Sequence, residues 1–155
     1  RESLEIACVD RFIENADAED IRKIEENLQQ CLRLDASYHT GEISAKDAQV
    51  EFLLLDSGFH QLIVEGTHCG AIIEHSKRWN MQLQTHVLFL KCSQINHFPE
   101  IAMVVKQHDA ILTALKLRWG SAAREFLRCH IAFKKLPQPE YPERTKAAAS
   151  EGEEK

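Results

Sequence analysis

Two histidines of this chain occupy positions where helical periodicity requires apolar side chains. His108 lies in a stripe with steps of three and four residues, the spacing of one helix face, formed by Ile101, Val104, His108, Ile111 and Leu115. His130 follows Leu127 by three residues and therefore faces inward on its own helix. An inward imidazole can hydrogen-bond within the core or bind a transition-metal ion.

An aspartate and a third histidine lie on the apolar face of another helix. Asp56 falls between Phe52 and Phe59 at helical spacing, and His60 follows it by four residues. A buried carboxylate is costly unless a partner or a proton neutralises it. Because residues four apart share one side of a helix, Asp56 and His60 can bind the same ion.

Together these positions offer one carboxylate and three imidazoles: Asp56, His60, His108 and His130. Such a set suits a divalent metal, zinc first, with nickel, manganese or iron as alternatives, and leaves one or two coordination positions open. A single inward histidine is more often a hydrogen-bonded core residue than a ligand, so purely structural histidines remain an alternative. His86 also faces inward and could contact the ligands or replace one.

The chain predicts an all-α fold, an antiparallel bundle of about six to seven helices joined by short links. The first helix carries Leu4, Ala7, Cys8, Phe12 and Ile13 on one face. Asp17 and Asp20 predict a capping box at the second helix, and Gly66 ends the third. Pro99 opens the fifth, Gly120 breaks it, and Ser121 caps the sixth. We expect a helical domain over residues 1–136 and a flexible, proline-rich and charged tail over residues 137–155.

Composition excludes several classes of protein. The net charge is -5 and no basic stripe is present, which argues against direct nucleic-acid binding by this chain. No apolar run approaches the ~20 residues that span a bilayer, and no signal peptide is recognisable, so we expect no membrane contact. The five cysteines are scattered without a CxxC pair. This favours reduced thiols in a cytoplasmic protein over disulfides or a thiolate zinc site.

Four short motifs, in order and at the expected spacing, resemble a known family. Arg1 to Glu5 reads R-x-x-L-E, Asp56 to His60 reads D-x-x-F-H, and Gln107 to Leu115 is similar to E-H-x-x-I-x-x-A-I. Ala122 to His130 reads A-A-x(6)-H. The chain thus resembles the FCD domain, the C-terminal effector-binding domain of GntR-type transcription regulators, in its metal-binding branch.

That resemblance implies several properties. Asp56, His60, His108 and His130 match the metal ligands of the metal-binding branch, and a small carboxylate effector would bind beside or on the metal. A winged-helix DNA-binding domain would precede this chain, and DNA would be contacted only through it. We expect a homodimer without enzymatic activity.

The residues that would contact an effector follow the family pattern less closely. The family's fourth helix often offers arginine to the effector, whereas the corresponding positions here hold Asn80 or Gln84. Arg1 matches a first-helix arginine that often faces the pocket. With His86, these three residues form the predicted effector-binding set.

An enzyme is the rival class. An HD-type phosphohydrolase using His108 and Asp109 would need a later aspartate, and none follows Asp109. A di-iron bundle would need two Glu-x-x-His motifs, and only Glu65 to His68 has that form. A single-metal hydrolase remains an alternative because an open coordination position can activate water, although no general base is evident.

Overall fold

The computed structural model describes residues 2–78, 80 and 101–133. They form α1 (Glu2–Asn15), α2 (Ala18–Thr40), α3 (Ala45–Glu65), α4 (70–78 in its described part), α5 (Ile101–Lys116) and α6 (Gly120–Phe133). The described part holds no β-strand, and the predicted all-α class is confirmed. Arg1, Gln84, His86 and the predicted tail lie outside the described residues. Of the helices described, none has the length and apolarity needed to span a membrane.

The helix ends of α2 and the end of α3 follow from the sequence. Asp17 accepts hydrogen bonds from the backbone of Glu19 and Asp20, and Asp20 accepts in return from the Asp17 backbone, so the predicted capping box is confirmed. Gly41 ends α2 with φ 78°, a left-handed conformation that glycine adopts without strain. α3 ends at Glu65, directly before Gly66, as predicted.

The turn between α5 and α6 differs from the prediction. α6 begins at Gly120, so Ser121 lies inside the helix rather than at its cap. The Trp119 carbonyl accepts from the Ala123 backbone N–H at 2.9 Å, and the left-handed residue that ends α5 is Arg118, with φ 57°. Arg118 donates to the Ile13 carbonyl at 2.7 Å. This contact with α1 accompanies a backbone conformation that the local sequence does not favour.

The helices pack around one core. α2 contacts α3 and α5, α6 contacts α5 and α1, and α1 also contacts α3. The largest fully buried apolar side chains come from all of these helices and include Phe12, Ile24, Phe59, Ile111 and Leu127. This arrangement turns the inner faces of α3, α5 and α6 toward a common interior.

The buried face of α1 is rotated from the expected one. Cys8 and Phe12 are buried as predicted, but Ala7 is exposed, and Val9 and Glu5 are buried instead, with 0% and 5% of their surface exposed. An acidic side chain thus points into the core beside α3.

Candidate metal centre

Three helices bring the four predicted ligands to one place. Asp56 and His60 lie one turn apart on α3, His108 lies on α5 and His130 on α6. All four are buried, with at most 7% of their surface exposed. One ligand atom from each lies within 4.8 Å of the corresponding atom of every other. The group can therefore surround a single ion.

The separations between these atoms match those around a metal ion. The Nε2 atom of His130 lies 3.1 Å from Nε2 of His108 and 3.2 Å from Nε2 of His60. The Oδ1 atom of Asp56 lies 3.4 Å from Nε2 of His108 and 3.8 Å from Nε2 of His130. Tetrahedral ligands held at ~2.0–2.1 Å from zinc are roughly 3.3 Å apart. These four separations, from 3.1 to 3.8 Å, are therefore close to the spacing of ligand atoms around a zinc ion.

The chemistry of the cluster also calls for a cation. Three imidazole Nε2 atoms that approach one point would face each other with their lone pairs if all three rings were neutral and carried their protons on Nδ1. A proton or a metal ion between them removes that repulsion, and the Asp56 carboxylate adds negative charge on the same side. A divalent ion satisfies all four groups at once.

The outer atoms of the rings contact further side chains. Nδ1 of His60 lies 2.7 Å from Oε2 of Glu5, and Nδ1 of His130 lies 2.8 Å from Oε1 of Gln107. The ring of Phe59 stacks on His108 with centroids 3.7 Å apart and planes 2° from parallel. Each ring is therefore held in orientation from outside the cluster, as ligating histidines commonly are.

Of these outer residues, Glu5 and Gln107 entered the sequence analysis only as letters of motifs. Glu5 carries a weak signal, since it precedes Val9 by four residues and shares its face of α1. Gln107 precedes His108 directly and shows no such pattern. Its contact with His130 depends on how α5 packs against α6.

The pKa of the Cys31 thiol on α2 responds to burial and to the negative charge of Asp56. Burial, with the negative charge of Asp56 as a further cause, raises the pKa of this thiol to about 12. The thiol is therefore protonated at neutral pH, whereas a metal ligand must be a thiolate. The predicted ligand set needs no cysteine.

A family match accompanies this geometry. The FCD domain family matches residues 1–133. The chain belongs to the FCD family. FCD domains are the effector-binding domains of GntR-family regulators, which places this chain among regulatory proteins. No curated protein matches the chain significantly.

A small cleft of this FCD domain lies beside the Asp–His cluster. It has a cavity volume of about 20 Å³, and its walls include Glu5 and His60 with apolar and polar side chains of α1, α3 and α4. Asn80 donates to Oε1 of Gln61 at 2.5 Å, and Ser76 donates to the same oxygen at 3.0 Å. Of the predicted effector-binding residues, Asn80 lines this cleft, whereas Arg1, Gln84 and His86 lie outside the described residues. Gln61 and Ser76 were not predicted.

A second group of potential metal-binding atoms lies at the N-terminal cap of α2. It consists of Asp17, Asp20 and His68. Asp17 and Asp20 accept the capping-box hydrogen bonds of α2. His68, which follows α3, lies with Nε2 2.7 Å from Oδ2 of Asp20. These contacts connect the turn after α3 to the start of α2.

Proposed function

We propose that this FCD domain is the metal-dependent sensor of a GntR-type transcription regulator. One divalent ion per chain is bound by Asp56, His60, His108 and His130. The observation that supports this proposal is the convergence of three Nε2 atoms and one carboxylate oxygen in a buried site. Zinc is our first choice because it accepts imidazole and carboxylate ligands, and nickel, manganese and iron share that preference.

We further propose that a small carboxylate is the effector and binds at an open position of the metal. The cleft beside His60 supports this, since this predicted ligand lines it together with polar side chains that can hydrogen-bond a ligand. Asn80 would contact the effector from within the cleft, and Arg1, Gln84 and His86 remain predicted contacts. When bound, the metal supplies a positive charge that a carboxylate can neutralise.

In the complete regulator, we propose, residues 1–136 form the sensing domain and a winged-helix domain before them contacts DNA. The net charge of -5 supports this assignment of DNA binding to another domain, because a domain that binds DNA phosphates is normally basic. Homodimer formation in the cytoplasm completes the proposal. Trp119 and Leu117, which expose 60% and 50% of their surface, offer apolar area for an interface.

Elemental analysis and calorimetry test the proposal. We expect about one equivalent of metal per chain in wild type and strongly reduced metal in Asp56→Ala. Hydroxy acids, sugar acids and dicarboxylates would then be titrated into metal-loaded and chelated protein. At least one should bind loaded protein and lose most of its affinity after chelation, because the metal provides its binding charge.

Two results would contradict the proposal separately. Wild type that takes up none of the four metals from a defined buffer would overturn the metal site. Carboxylate binding that is indifferent to chelation, or that fails for the whole panel on verified loaded protein, would overturn the effector mechanism alone. His39→Ala, at an exposed histidine of α2, is the matched control and should keep full metal content.

A further inference from the structure

Glu5 is an acid of α1 that lies in the protein interior. Its side chain exposes only 6% of its surface, and Oε2 lies 2.7 Å from Nδ1 of His60. Glu14, another acid of the same helix, is exposed. Burying a carboxylate is costly, so its retention beside a histidine calls for a physical explanation.

The carboxylate charge of Glu5, close to Nδ1 of His60, favours one tautomer of that ring. A carboxylate oxygen accepts but does not donate, so its charge favours the tautomer with the proton on Nδ1. Nε2 is then left with its lone pair, and this is the atom that lies 3.2 Å from Nε2 of His130. Without Glu5, the proton could reside on Nε2, where it would block metal binding.

We infer that Glu5 is a positioning residue of the metal centre, which holds His60 in the tautomer and orientation that expose Nε2 to the ion. The inference rests on the proposed metal site. It extends the centre to α1, a helix that contributes none of the four ligands.

The neighbouring ring provides an internal comparison. His130 also has a side-chain oxygen next to its Nδ1, but this atom is hydrogen-bonded to the neutral amide oxygen of Gln107 at 2.8 Å. Both partners favour a proton on Nδ1, whereas only the carboxylate adds negative charge that raises the basicity of the ring. Removing the charge at Glu5 should therefore weaken metal binding, and adding a charge at Gln107 should strengthen it.

Zinc affinity, measured by competition with a chromophoric chelator, tests this inference. We expect Glu5→Gln to bind zinc about 10-fold more weakly than wild type, at the lower end of the 10–100-fold range for outer partners of ligating histidines. Gln107→Glu should bind more tightly than wild type. Glu14→Gln, the matched exposed substitution on α1, should bind as wild type does.

The visible spectrum of the cobalt(II) protein separates positioning from a general effect on folding. If Glu5 orients His60, the ligand-field bands of Glu5→Gln should shift or weaken relative to wild type, while those of Glu14→Gln should not. Circular dichroism confirms that the compared variants are folded. Unchanged bands together with unchanged zinc affinity in Glu5→Gln would overturn the inference.

A second variant covers the case in which Glu5→Gln does not fold. Glu5→Asp keeps the negative charge but moves it away from His60 by the length of one methylene group. Zinc should therefore bind several-fold more weakly than to wild type. An affinity equal to that of wild type would contradict the role of Glu5. Wild type that binds none of zinc, nickel, manganese and iron would overturn the proposed function and this role with it. Normal wild-type binding with unaltered Glu5 variants would overturn the role of Glu5 alone.

Discussion

The carboxylate of Asp20 contacts two neighbouring groups. Its Oδ2 accepts from the Asp17 backbone N–H at 3.1 Å and lies 2.7 Å from Nε2 of His68. Burial by itself would raise the pKa of Asp20, but the backbone hydrogen bond and the contact with His68 outweigh it, and the pKa is lowered. The ionised form is thus favoured by the folded state.

This lowered pKa predicts a pH-dependent role for Asp20 in stability. A carboxyl group whose pKa is lower when folded stabilises the protein above its unfolded pKa of ~3.9, and that contribution is lost as the pH falls through the folded pKa. Asp20→Asn should therefore be less stable than wild type near pH 6, and the difference should shrink toward pH 2. Urea denaturation across this range measures it, with the exposed Glu14→Gln as control. A difference that stays constant with pH would contradict the prediction.

At the same scale, periodicity found the inner residues of the site but not the outer ones. Asp56, His60, His108 and His130 were identified because polar side chains interrupt apolar stripes, and the structure brings all four together. Their role as ligands remains a proposal. Periodicity marks Glu5 only weakly and Gln107 not at all, because their significance lies in contacts with residues 55 and 23 positions away along the chain. Only packing of the helices creates those contacts.

At the scale of the helices, α1 packs closely against the end of α3, where the side chain of Phe12 approaches Gly66. A Cβ atom added at Gly66 would overlap the aromatic ring of Phe12, which is 1% exposed. The backbone of Gly66 is an ordinary right-handed helical one. Glycine is therefore required there by space rather than by backbone conformation.

Alanine substitutions at two glycines test this packing. Gly66→Ala should destabilise the protein by about 1–3 kcal/mol, the usual cost of overpacking a core. Gly70→Ala is the matched control, because nothing lies within 4 Å of its added Cβ. It should be neutral or slightly stabilising, since alanine restricts the unfolded chain. If the two variants have equal denaturation midpoints, the packing of Phe12 does not require glycine at position 66.

The element scale also shows where local signals are sufficient. The capping residues of α2 are local, and the sequence predicted both Asp17 and Asp20. At the α5–α6 turn, Gly120 and Ser121 give the usual local signals, yet Arg118 takes the left-handed position and donates to α1. A bond between residues 105 positions apart is not visible in a local pattern. The same limit explains the rotated face of α1.

For the whole molecule, the cluster lies where separate helices meet. Asp56 and His60 come from α3, while His108 and His130 come from α5 and α6. Because a metal ion can bind all four only when these helices are packed, binding favours the folded state over the unfolded chain. Metal binding and folding should therefore be linked.

This linkage predicts how stability responds to metal and to loss of a ligand. Metal at a hundredfold excess over its dissociation constant should stabilise wild type by about 2.7 kcal/mol, because ions bind the native state alone. His108→Ala and His130→Ala should lose most of that increment, whatever their stability after chelation. The increment, rather than the absolute stability, is the decisive quantity, since either substitution also leaves a space in the core. Thermal melts with metal and with chelator measure it, and His39→Ala should keep the wild-type increment. If each of the four proteins has the same melting temperature with metal as with chelator, metal binding is not linked to the packing of α3, α5 and α6.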